Sequence, residues 1–178
     1  MQSKFLSGAA QLGLLLVAVG VATLAQDRQC ETLLSGVINA YSPQTTLTGP
    51  YEVRGPWSLT LKDGKAAFSA ALNMELSDGW VITRNGGDFD PDARGAHTHH
   101  VTLNGSVTQI TNGIRVTGTA TITLNGNPAP VSPSLLQIDI TGGSDVKFSN
   151  IALTFGMPGS GHFGTEPLPG VVRKVTYK

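Results

Sequence analysis

Residues 57–76 read WSLTLKDGKAAFSAALNMEL, and this stretch decides the class of fold. Trp57, Leu59 and Leu61 alternate with Ser58, Thr60 and Lys62. After Asp63-Gly64, Ala66, Phe68, Ala70, Leu72, Met74 and Leu76 alternate with Lys65, Ala67, Ser69, Ala71, Asn73 and Glu75. A period of two belongs to a strand with one face in a core and the other in water. Asp-Gly is the pair that a two-residue type I′ hairpin favours, because both positions need positive φ. Folding about it sets Leu61 opposite Ala66, Leu59 opposite Phe68 and Trp57 opposite Ala70, so turn and pattern predict one register.

The same pattern recurs downstream. Ile114, Val116, Gly118, Ala120, Ile122 and Leu124 alternate with Arg115, Thr117, Thr119, Thr121 and Thr123, and the preceding strand begins at His97-Thr98-His99-His100-Val101. A turn at Asn112-Gly113 predicts Val107 opposite Gly118, Leu103 opposite Ile122 and Val101 opposite Leu124. Continued, that register sets His99 opposite Gly126 and His97 opposite Pro128, at the open end of the sheet beyond the last apolar pair. Further strands are expected at Leu34 to Tyr41, Tyr51 to Arg54, Leu136 to Ile140, Ile151 to Phe155 and Val171 to Tyr177. A change of phase after Val146 and Phe148 suggests a bulge near Ser149-Asn150. The expectation is an all-β chain, a single antiparallel β-barrel or β-sandwich of about eight strands, with the barrel favoured because long regular hairpins invite closure.

The N-terminus reads differently. Lys4 precedes an almost wholly apolar run, Leu12 to Leu24, which ends at Thr23-Leu24-Ala25. That is the order of a secretory signal peptide over residues 1–25, with a single all-β domain over 26–178. The run falls short of the about 20 residues that a membrane span needs; a retained N-terminal anchor is the alternative. A secreted or periplasmic location follows as an expectation. The chain has 12 basic and 12 acidic residues, and without the Lys4 leader the acids lead by one. No basic excess points to nucleic acid or to an anionic membrane. One cysteine, Cys30, rules out an internal disulfide.

Three of the four histidines lie in residues 97–100, and the fourth is His162. On a strand, His97 and His99 share the face of Val101 and Leu103, whereas His100 points the other way. Two imidazoles one residue apart deliver two nitrogens to one point, and imidazole suits zinc, copper, iron or nickel, copper or zinc foremost. His162, in the glycine- and proline-rich segment Gly156 to Gly170, supplies a third ligand, and Glu166 a fourth ligand or an acceptor for an imidazole N–H. The alternative for all of them is ordinary packing and hydrogen bonding at a strand end. Asp88-Phe89-Asp90-Pro91-Asp92 spaces aspartates as calcium loops do. Ala93 and His99, however, stand where the helix–loop–helix pattern needs glycine and glutamate, so calcium is the lesser expectation and a solvated turn the greater. No Gly-x-Ser-x-Gly setting points to a nucleophilic triad.

His97-Thr98-His99 together with Gly156-Met157-Pro158-Gly159-Ser160-Gly161-His162 resembles the arrangement in cupin barrels, which place a His-x-His pair on a strand and a later histidine in such a segment. The resemblance covers a small part of the chain. Val101 to Asn104 stand where that family has a glutamate, and the proline-to-histidine spacing differs.

Two functions are thus expected from the residues. The first is a secreted metal-binding barrel with His97, His99, His162 and Glu166 at its mouth, possessing or lacking a metal-assisted reaction. The second is a non-enzymatic binding module for a small apolar ligand or a protein partner, with Trp57, Phe68, Met74 and Trp80 lining a space left by Ala66, Ala70, Gly118 and Ala120.

Overall fold

A computed structural model of the protein describes residues 31–42, 50–76, 96–142 and 148–178. The leader, Cys30, Trp80, Val146 and the acidic run Asp88 to Asp92 lie outside the described residues. The chain forms β1 (Thr32–Tyr41), β2 (Tyr51–Lys62), β3 (Lys65–Leu76), β4 (His97–Ile110), β5 (Gly113–Leu124), the two-residue β6 (Asn127–Pro128), β7 (Ser134–Thr141), β8 (Asn150–Phe155), the single-turn helix α1 (Ser160–Phe163) and β9 (Leu168–Tyr177).

Each long strand pairs antiparallel with the next, β9 returns to β1, and β6 adds to the end of β5, so the eight long strands close into a barrel. Closure removes the unpaired edges that an open sheet would present. It also resolves the choice between barrel and sandwich. The sequential up-and-down order differs from the two-sheet jelly roll that a cupin has. Among the described residues no helix is long and apolar enough to cross a membrane.

The first hairpin takes the register that its sequence predicts: Leu61 pairs with Ala66, Leu59 with Phe68 and Trp57 with Ala70. Asp63 and Gly64 both have positive φ, 50° and 69°, as the turn requires. β2 runs unbroken from Tyr51 to Lys62, so the two stretches read separately in the sequence are one strand.

The second hairpin corrects the reading of Asn112-Gly113. Ile110 pairs with Gly113, Val107 with Val116, Leu103 with Ala120, Val101 with Ile122 and His99 with Leu124. The turn is Thr111-Asn112, two residues tighter in register than expected. Gly113 serves a different need: a Cβ there would stand 1.9 Å from the Ile140 carbonyl oxygen of β7, so glycine permits the close approach of two strands. An asparagine–glycine pair with positive φ lies one hairpin later, at Asn125 and Gly126, with φ of 48° and 85°. The change of phase near Ser149-Asn150 is present: Phe148 and Ile151 are both buried, and Ser149 N–H donates to the Thr141 carbonyl although Asn150 is the register partner of Thr141. From Asn150 onward β8 pairs with β7 in one register, and a separate register shift falls between Ser35 and Gly36 against β9.

Inward residues form one continuous core that includes Trp57, Leu59, Phe68, Leu72, Val101, Ile122, Ile138 and Leu153. Trp57 and Phe68 stack with ring centroids 6.4 Å apart. The room left by Gly118 is taken by Leu103, whose Cδ1 lies 2.7 Å from where a Cβ would stand. Ala66 and Gly118 also line a cleft of about 470 Å³ together with Thr60, Asn104 and Thr117.

Candidate metal centre

The up-and-down path gives the barrel two unlike ends. At one, β2 and β3 are joined by Asp63-Gly64 and β4 and β5 by Thr111-Asn112, with β7 and β8 joined by residues 142–149. At the other lie the longer connections: residues 42–50, 77–96, 125–133 and 156–167. His97 and His99 start β4 at this second end, so the fold places them among the long connections, where binding groups usually collect.

Alternation holds as read. His99 is buried, His97 half-buried and His100 exposed on the outer face. The corrected register changes their depth. His99 pairs with Leu72 on one side and Leu124 on the other, with 2 % of its surface exposed, so it lies within the core rather than beyond it. Its Nδ1 lies 2.9 Å from the Thr123 carbonyl oxygen. A carbonyl only accepts, so Nδ1 carries the hydrogen and Nε2 presents a lone pair to the barrel mouth.

The backbone between the two imidazoles is held from both sides. Thr98 N–H donates to Asn125 Oδ1 at 2.9 Å, and Asn125 N–H donates back to the Thr98 carbonyl at 2.8 Å. On the other side Thr98 Oγ1 donates to Asn73 Oδ1 at 2.8 Å.

His162 arrives from far along the chain. Residues 156–164 turn back over the mouth and are fixed at three points. Ser134 Oγ donates to the Gly156 carbonyl at 2.9 Å and accepts the Gly159 N–H at 3.1 Å. A Cβ on Gly159 would stand 2.4 Å from that Oγ, so the contact requires glycine. Phe163 is fully buried and stacks on Phe155 with centroids 4.1 Å apart, while its ring meets His99 edge-on at 5.1 Å. With Phe163 anchored inside, the preceding side chain, His162, faces the pair on β4.

The three imidazoles converge. His162 Nε2 lies 3.0 Å from His99 Nε2 and 3.2 Å from His97 Nε2, and one ligand atom from each of the three lies within 4.8 Å of the others. Nitrogens bound about 2.0–2.1 Å from a tetrahedral ion stand about 3.3 Å apart, close to both of these distances. Hydrogen bonding explains the cluster less well. A single proton on His162 Nε2 serves one of the two short contacts and leaves the other without one. A cation facing the three nitrogens would account for both short contacts, with the remaining separation within 4.8 Å.

Burial holds the His99 imidazolium down to a pKa of about 4; the bond to Thr123 opposes this, and nearby His97 adds to it. Burial likewise lowers His162 to about 4, helped by His99 and then His97. Both rings are therefore neutral at pH 7, the form a metal binds. Tyr51, 6 % exposed, lies against the cluster with its ring 5.2 Å from His97 and 5.6 Å from His162.

Of the residues singled out in the sequence, the fold brings His97, His99 and His162 together. Glu166 is exposed and stands outside this group. Sequence reasoning missed the supports: Asn125, Asn73, Thr123, Ser134 and Phe163. Asn125-Gly126 carries a turn signal that could have located the first of these; the others depend on pairings that no local pattern reveals. The chain matches no known protein-family model, no curated protein sequence and no solved structure.

Proposed function

We propose that this protein is an exported β-barrel that binds one transition-metal ion, copper or zinc, through His97, His99 and His162 at the barrel mouth. The observation that carries this reading is the convergence of three Nε2 atoms, two of whose separations match an edge of a coordination tetrahedron. Supporting it is the His99 Nδ1–H···O=C bond to Thr123, the kind of contact that fixes the tautomer and orientation of a metal-bound imidazole. Three protein ligands leave a further position open, as catalytic zinc sites do. Export rests on the leader, and a metal-assisted reaction would require that position to stay open to substrate.

The test is elemental analysis of the purified domain, free of affinity-tag histidines, after light dialysis. About one equivalent of copper or zinc is expected, and less than a tenth of that in His97→Ala/His99→Ala. Full metal content in the double variant, or a native protein that neither holds nor takes up metal, would overturn the reading.

A further inference from the structure

The three imidazoles leave open which metal the site selects, and a fourth side chain bears on that. Met74 is the register partner of His97 across β3 and β4. Opposed residues of an antiparallel pair project from the same face, with Cβ atoms about 5 Å apart. That face is the interior, since Met74 is 1 % exposed and its neighbour in the alternation, Leu72, is fully buried. Met74 and His97 also border one cleft of about 340 Å³, together with Glu52, Arg54, Glu75 and Thr98.

We infer that Met74 completes the centre as a thioether ligand beside His97, and that the resulting three-nitrogen, one-sulfur site selects Cu(I). The inference rests on the three-histidine reading above and adds the ion's identity. Thioether sulfur is a soft ligand that favours Cu(I) and offers little to Zn(II). Charge argues the same way. Imidazole and thioether bind a metal as uncharged ligands, and among the described residues no carboxylate joins the ligating group. His99, Met74 and Tyr51 are buried, and the cost of burying an ion rises with the square of its charge. A monocation therefore suits this pocket, whereas a dication needs an added anion such as hydroxide to offset its charge.

Met74→Leu tests the inference, because it conserves volume and so preserves packing. Cu(I) is titrated against bicinchoninate and Zn(II) against a chelating dye, with the native protein, Met74→Leu and His97→Ala/His99→Ala. The expected result is Cu(I) binding about tenfold or more weaker in Met74→Leu with Zn(II) binding little changed, the order of effect seen when a metal's surroundings are altered. X-ray absorption of the Cu(I) protein then shows a sulfur neighbour that Met74→Leu lacks. Unchanged Cu(I) affinity in Met74→Leu overturns the inference and leaves the three-histidine site standing. Equal weakening of both metals also overturns it, by making Met74 a packing residue. A native protein that takes Zn(II) but no Cu(I) overturns it again, and one that takes neither metal removes the underlying reading too.

Discussion

The two ends of the barrel are built from the same strands but to opposite rules. At the end with tight turns, Asp63-Gly64 and Thr111-Asn112 close their hairpins in two residues each, and the cleft there is lined by Leu61, Val107, Ile114 and Tyr177 together with Lys62, Asp63 and Lys65. Lys62, Asp63 and Lys65 there are exposed, while Ile114 beside them is buried. At the end with long connections, a buried histidine sits in the core, a glycine is pressed against Ser134, and the helical turn α1 crosses the mouth. One end is arranged for folding. The other accepts polar burial that costs stability unless something is gained by it.

The sharpest way to break that contrast is to remove the anchor of the functional end. Phe163 is fully buried between Phe155 and the imidazoles. Phe163→Ala is expected to lower unfolding free energy by about 3–5 kcal/mol, as measured by urea denaturation. Because His162 precedes it, the same variant should lose stoichiometric metal. Retained metal with lost stability would show that residues 156–164 find their place without the anchor.

Two glycine substitutions compare the ends directly. Gly159→Ala drives a methyl into Ser134 Oγ, which must shift and with it both hydrogen bonds that hold the turn. A loss of about 1–3 kcal/mol is expected, the range for overpacking, together with weakened metal binding. Gly64→Ala meets nothing within 4 Å, and its cost comes from a φ of +69° alone. That cost should be about 1–2 kcal/mol with metal affinity unchanged. Equal effects of the two variants on metal affinity would erase the distinction between the ends.

Titration separates the ends in another way. His99 and His162 bind protons near pH 6.5 when unfolded but only near 4 when folded. Between these values the unfolded chain holds more protons, so stability falls as pH falls. Their contribution is fully present above pH 6.5 and is lost as pH drops through about 4. Denaturation of the metal-free protein from pH 7 to 4 should show a steeper loss than His99→Phe/His162→Phe does. Parallel profiles would place the acid sensitivity elsewhere in the molecule.

What the sequence disclosed follows the same division. The first hairpin was legible because its turn residues and its apolar pattern are local and agree. The second was read two residues out of register, since a glycine after asparagine looks the same whether it forms a turn or lets β7 approach. An even slip keeps every side chain on its face. His97 and His99 were therefore placed correctly as inward, and His100 as outward, while the depth of His99 was missed. The approach of His162 could be stated as a possibility of chemistry alone. Its position depends on Ser134 and Phe163, and no periodicity links residue 134 to residue 159.

The finest test concerns the clip on the backbone between the two β4 imidazoles. Asn125 sits at φ 48°, a conformation that glycine adopts freely, so Asn125→Gly keeps the turn and the N–H to Thr98 while deleting the Oδ1 acceptor. Asn125 is exposed, and the change should cost well under 1 kcal/mol of stability, as surface changes usually do. Metal affinity should nevertheless drop about tenfold, the lower end of what loss of an outer support typically does to a bound ion. His100→Ala is the matching control: it lies one residue from His99 but on the outer face, and should leave both stability and metal binding unchanged. If Asn125→Gly behaves like His100→Ala, the β4 backbone keeps its imidazoles aligned through sheet pairing alone, and the functional end needs less dedicated support than its hydrogen bonds imply.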